Sequence, residues 1–150
     1  MKKFLPWFAV LLWMLVIFYF SHQPATLSNQ LSSSITEELI ELVDKIVPVS
    51  DSKLESVNHL VRKNAHFIIY FVLGMFVAFG LRTIGFQGNR LVKFALLICV
   101  LYAVSDEVHQ YFVDGRGPQV KDVLIDSAGA IIGISLFCFV DWLVKKSGKL

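Results

Sequence analysis

The chain has 150 residues, a net charge of +2, 55% hydrophobic residues and only 17% charged ones, and its mean hydropathy is +0.63. A soluble domain of this length carries more charge and shorter apolar runs, so the composition excludes one. It indicates an all-α integral membrane protein with room for about four spans of ~20 residues. So small a positive charge, without a basic helix or an Arg–aromatic patch, gives no ground for a nucleic-acid partner.

Met1-Lys2-Lys3 leads into Phe4 to Phe20, a run without a charge. Signal peptides share that basic start and apolar core, but Ser21-His22-Gln23-Pro24 offers no small-x-small cleavage site. The run is therefore read as an uncleaved first span over 4–20, with Trp7 and Tyr19 near the two interfaces. Residues 21–61 form the long polar stretch, expected as an amphipathic external helical loop. Within it, Ser34 with Glu37 reads as a capping box opening a short helix, with Ile35, Leu39, Leu42, Val43 and Ile46 on one face. Pro48 ends that helix, and Ser52 with Glu55 reads as a second box. Such segments lie on the bilayer surface or cap the bundle, and a lid over apolar bundle surface is the favoured reading.

The second span is expected over 64–81, closed by Arg82. The connection from Thr83 to Arg90 is short and contains glycine, so the second and third spans should be antiparallel neighbours. The third is expected over 91–111, followed by the turn-rich Asp114-Gly115-Arg116-Gly117-Pro118, and the fourth over 123–144 before Lys145-Lys146. The whole chain, 1–150, reads as one bundle of four transmembrane helices. Cys99 and Cys138 fall inside apolar runs and read as small core residues.

Positive charge orients the bundle. With the N-terminus inside, the inner side collects Lys2, Lys3, Arg82, Arg90, Lys93, Lys145, Lys146 and Lys149, with no acid counted among those segments. The other basic residues are diluted through longer outer loops in which acids outnumber them. Both termini are therefore expected in the cytoplasm, with the long loop outside.

Against this apolar background the stretch from Tyr102 to Asp126 holds Asp106, Glu107, His109, Gln110, Arg116, Asp122 and Asp126. Counted from the inner boundary, His66 lies sixteen residues from Arg82, His109 sixteen from Lys93, and Asp126 nineteen from Lys145. At ~1.5 Å per residue these fall in one slab near the outer interface. On the third span Tyr102, Asp106, His109 and Gln110 share a stripe. On the fourth, Asp122 and Asp126 continue into Gly129 and Gly133. On the second, Arg62, His66 and Tyr70 continue into Gly74 and Ala78. Small residues mark the packed side of a membrane helix, so the polar halves of these stripes should face a pocket walled by three helices.

The chemistry of such a pocket follows from its residue types. Arg62 and Arg116 suit bidentate binding of phosphate or carboxylate. His66, His109 and Asp106 form the candidate catalytic set, the histidines as proton carriers and the acid as their orienter. Gln110, Asp122 and Asp126 support them. Each also has a plain structural reading: Asp122 as the N-cap of the fourth helix, Arg116 as its surface partner, and Glu107 facing solvent or an interfacial Lys. His22 and His59 read as lone loop histidines. Asp126, His66 and Asp106 lie too deep for simple solvation, which favours a site over structural glue. Asp106-Glu107-x-His109 is not a zinc spacing. A composite of His66, His109 and a carboxylate is a weaker alternative, and no metal or other cofactor is assigned.

The segments FSHQP (20–24), RKNAHFIIYFVLG (62–74) and YAVSDEVHQYFVDGRGPQVKDVLIDSAG (102–129) resemble the VanZ-like family of bacterial membrane proteins. The resemblance covers nearly the whole chain after residue 4, apart from 25–58. Its most specific block is DExHQxFVxGR with Asp122 six residues after the arginine. At Asp126 the family often carries Asn. The resemblance implies a four-span protein of the bacterial cell membrane, and its namesake is associated with low-level resistance to the glycopeptide teicoplanin. The residues themselves suggest an outward-facing site that binds or modifies an anionic envelope component, such as a lipid-linked saccharide, a phospholipid or a wall polymer. Two other classes compete. A transporter needs polar residues along its whole path, and the inner halves of these spans are almost purely apolar. An interaction module would use the polar cluster only to lock helix register.

Overall fold

The computed structural model describes residues 4–44 and 51–148, with side chains described outside 36–56 and 59. Among the described residues the chain is entirely helical: α1 (Leu5–Ser21), α2 (Ala25–Asp44), α3 (Asp51–Thr83), α4 (Gly88–Gln110) and α5 (Val120–Lys146). Among the described residues two segments are long and apolar enough to cross a membrane, Leu60–Thr83 and Val120–Lys146, and up to three if α1 and the first part of α2 count as one broken span. The protein is thus an all-α membrane protein. Apolar side chains cover its outside: Leu15, Leu101 and Phe139 are 64%, 60% and 56% exposed, as expected where lipid rather than water is the solvent.

Local chemistry sets the helix limits. Pro6 sits in the first turn of α1, where a missing N–H costs nothing. The chain turns by 101° between α1 and α2, because Pro24 cannot continue α1 and biases Gln23 away from helical geometry. The carbonyl of Pro24 then accepts the Ser28 N–H at 3.0 Å, opening α2. The expected helix start at Ser34 is therefore corrected: Ser34 lies inside α2, its Oγ donating to the Gln30 carbonyl at 3.0 Å. Pro48 lies outside the described residues, as do the side chains of the Ser52–Glu55 box. The second expected span is only the apolar part of α3, a 33-residue helix of ~50 Å, longer than the hydrocarbon core.

Helices α3 and α5 form the tightest seam. A Cβ added at Gly129 or Gly133 would fall on the carbonyl oxygens of Phe67 or Phe71, and one at Gly74 would lie 2.6 Å from the Ala130 carbonyl oxygen. Only glycine admits so close an approach of two backbones. Tyr70, Leu73, Val77, Ala103 and Ile134 fill the core around that seam. Helix α1 is pinned to it by two side chains: Trp13 Nε1 donates to the Ile69 carbonyl at 2.8 Å, and Tyr102 Oη donates to the Met14 carbonyl at 2.5 Å. At the end where α3 stops, Asp141 pairs with Arg82 at 3.2 Å and with Lys145 at 2.6 Å. The charge count that found no acid on this side is corrected by Asp141, whose carboxylate two cations neutralise.

Candidate functional site

At the opposite end, α1 and α4 finish and α2 and α5 begin. The Ala25 N–H donates to the Asp114 carbonyl at 3.2 Å, which ties the 111–119 turn to the start of α2. Gly115, at φ 72°, makes the reversal that this turn requires. Five acidic or amide side chains are buried beneath it: Asp106, Glu107, Gln110, Asp122 and Asp126.

Three polar sets divide this region. In the first, His66 Nδ1 on α3 lies 3.4 Å from Asp126 Oδ1 on α5, and Asp126 is fully buried. The pair is within ionic range, yet neither Asp126 oxygen nor His66 Nδ1 has an aligned hydrogen-bond partner. The Tyr70 hydroxyl, one turn further along α3, is also buried without one. In the second set, Gln110 Nε2 donates to Ser21 Oγ at 2.8 Å and to Asp106 Oδ2 at 3.3 Å, joining α4 to the end of α1. In the third, the Gln119 N–H donates to Glu107 Oε2 at 2.6 Å, closing the α4–α5 turn.

A cavity of about 320 Å³ opens between these sets and α2. Arg62, His66, Asp106 and Arg116 all line it, together with Ser21 and the α2 residues Leu31 and Ile35. Arg116 reaches back to the Phe20 carbonyl through Nη2 at 3.5 Å, while its Nε is buried without a partner. Burial, and after it the Arg62 guanidinium, lower the Arg116 guanidinium below its ordinary value. Neither arginine forms an ion pair among the described residues.

Of the residues singled out from the sequence, Arg62, His66, Asp106 and Arg116 thus meet at one cavity, with Asp126 and Gln110 directly behind them. His109 does not join them. Its ring packs 4.5 Å from that of Phe18 on α1, and its Nε2 lies 3.1 Å from His22 Nδ1. His22, read as a lone loop histidine, is its partner. Asp122 is not the N-cap of α5: that position is Gln119, and Asp122 is buried in the first turn. A carboxylate there still meets the positive end of the helix dipole. Glu107, expected at the surface, is buried, because the first N–H groups of α5 need an acceptor and Gln119 supplies no side-chain cap. Asp106 is engaged by Gln110 rather than by a histidine, so orienting an imidazole falls to Asp126.

Ser21 and the α2 wall were not legible as site residues. The one signal for them is Ser28 and Ser32 spaced by four beside Leu31 and Ile35, similarly spaced, an amphipathic pair of rows. Among the described residues no three His, Cys, Asp or Glu side chains converge with metal-binding spacing. The composite of His66, His109 and a carboxylate is not formed.

The arrangement offers two cations, and a histidine backed by a carboxylate, to whatever enters the cavity. Comparison with curated proteins and with solved structures gives no match. A family model described as VanZ/LLP1 matches residues 5–141. That match spans every helix that builds the cavity, and the chain belongs to the VanZ/LLP1 family.

Proposed function

We propose that this protein binds an anionic component of the bacterial cell envelope in the cavity between α1, α2, α3 and α4, with Arg62 and Arg116 holding the anion. The observation that carries this is that two guanidinium groups line one partly buried cavity and neither forms an ion pair among the described residues, the nearby Asp106 being held by Gln110. Like charges held together away from bulk water are unfavourable, and an entering anion offsets that cost with charge-assisted hydrogen bonds. The transmembrane frame belongs to the same proposal: α1, Leu60–Thr83, α4 and α5 as four spans, both termini cytoplasmic, the cavity opening outward.

His66 gives the site an acid–base group. With Nδ1 turned to Asp126, its Nε2 is the nitrogen left for a ligand, and the buried carboxylate stabilises the imidazolium formed when Nε2 takes a proton. Asp106, fixed by Gln110, is a second polar contact in the cavity. These groups suit binding with proton transfer, and a link to glycopeptide sensitivity rests on the family alone. A purely structural cluster would satisfy its own polar atoms. The buried Arg116 Nε, on a residue that lines the cavity and without a partner of its own, instead favours a site.

Thermal unfolding of the purified protein with a panel of anions tests the proposal: pyrophosphate, glycerol phosphate polymer, and lipid-borne phosphate in mixed micelles. At least one should raise Tm, at about 2–4 °C per kcal/mol of binding energy. Arg62→Gln and Arg116→Gln should abolish the rise, whereas His109→Ala, outside the cavity, should keep it. The absence of any rise across the panel with wild-type protein would defeat the proposal.

A further inference from the structure

The walls of the cavity are as informative as its charges. Seven of its fifteen lining residues are apolar, among them Ile17, Phe20, Leu31, Ile35, Val61 and Ile69. Phe20, Leu31 and Ile35 are 49%, 49% and 51% exposed, so the α1–α2 side offers accessible apolar surface beside Gln23, Ser28 and Ser32. A soluble anion bound between the arginines would leave that surface uncovered. A ligand with hydrocarbon attached would bury it, at about 25 cal/mol per Å². The volume of about 320 Å³ lies at the small end of ligand pockets and suits one chain rather than two.

Charge narrows the head group. Two guanidinium groups match a terminal phosphate, which carries about −1.5 to −2 near neutral pH, better than a diester with a single charge. Asp106 opposes an anion, but Gln110, bonded to Ser21 Oγ, holds its carboxylate on the Ser21 side. Building on the anion site proposed above, we infer that the cavity takes a single-chain lipid phosphate. The phosphate lies between Arg62 and Arg116, the first carbons lie against Ile17 and Ile69, and the chain leaves past Phe20, Leu31 and Ile35 into the bilayer. The 101° bend between α1 and α2 makes that exit, because it sets the apolar face of α2 across the end of α1.

Isoprenoid and straight-chain phosphates share this chemistry, and binding to the protein in phosphatidylcholine nanodiscs separates them. The probes are geranylgeranyl phosphate, dodecyl phosphate, geranylgeraniol and inorganic phosphate. At least one lipid phosphate should bind about tenfold or more tighter than both the alcohol and inorganic phosphate, a difference of about 1.4 kcal/mol. The tighter of the two lipid phosphates identifies the chain type. Ala65→Phe, which narrows the apolar wall and leaves both arginines, should weaken the lipid phosphates about tenfold and inorganic phosphate not at all. Leu31→Trp at the rim serves the same purpose if Ala65→Phe fails to fold. Equal affinity for inorganic and lipid phosphate, unchanged in these variants, would overturn the lipid assignment and leave the anion site standing. No binding by any phosphate, or equal binding by the alcohol, would overturn both.

Discussion

Gln110 and Asp126 show what a buried polar side chain does in this bundle. Gln110 is 1% exposed and spends one nitrogen on two acceptors from different helices. Asp126 is fully buried and, among the described residues, has only the His66 ring within ionic range. His66→Leu would leave that carboxylate with no counterpart, at about 1–3 kcal/mol. Adding Asp126→Leu should recover most of the loss, because a pair replaced whole leaves nothing unpaired. A double-mutant cycle of unfolding in detergent measures this, and additive losses would show that the two side chains do not interact. Spacing made Arg62, His66, Asp106 and Arg116 legible, since residues four apart on one helix share a face and Arg116 sits in the turn above. It misplaced His109, at the edge of the Asp106–Gln110 stripe, because the stripe does not say which neighbouring helix covers each edge. Phe18 of α1 and His22, just past its end, cover this one.

Among the elements, α3 and α5 carry the architecture through backbone contact rather than side-chain bulk. Gly133→Ala would drive a methyl into the Phe71 carbonyl, whereas Gly117 has open space around its Cβ direction. The first should cost about 1–3 kcal/mol by overpacking, and Gly117→Ala should cost nothing measurable. Comparing the two by denaturant titration tests the seam, and equal stability would deny it. The small-residue spacing in the sequence already marks both sides of this contact. The starts and ends of α1, α4 and α5 were also legible within a few residues, since charge and turn residues bound them. Helix α2 was not. Its polar N-terminal half, TLSNQLSSS, has weak helix propensity and becomes helical after Pro24 with support from α3, where Asn58 Nδ2 donates to Ser33 Oγ at 3.1 Å.

Over the whole molecule, basic residues crowd the Arg82–Asp141–Lys145 end and buried acids the other, the asymmetry on which the proposed orientation, with the cavity aimed outward, rests. In a Cys99→Ala, Cys138→Ala background, Ser28→Cys should react with a membrane-impermeant thiol reagent on intact cells. Gln87→Cys, in the α3–α4 connection, should react only after permeabilisation. The reverse pattern would invert the topology and with it the compartment that supplies the ligand. The most direct measurement of the central claim is a density map of the protein reconstituted in lipid from its own cell envelope. Tetrahedral density between Arg62 and Arg116, continuous with a chain running out between α1 and α2, is the predicted result. Arg62 and Arg116 turned separately into bulk water, over a closed gap where the cavity now lies, would contradict it.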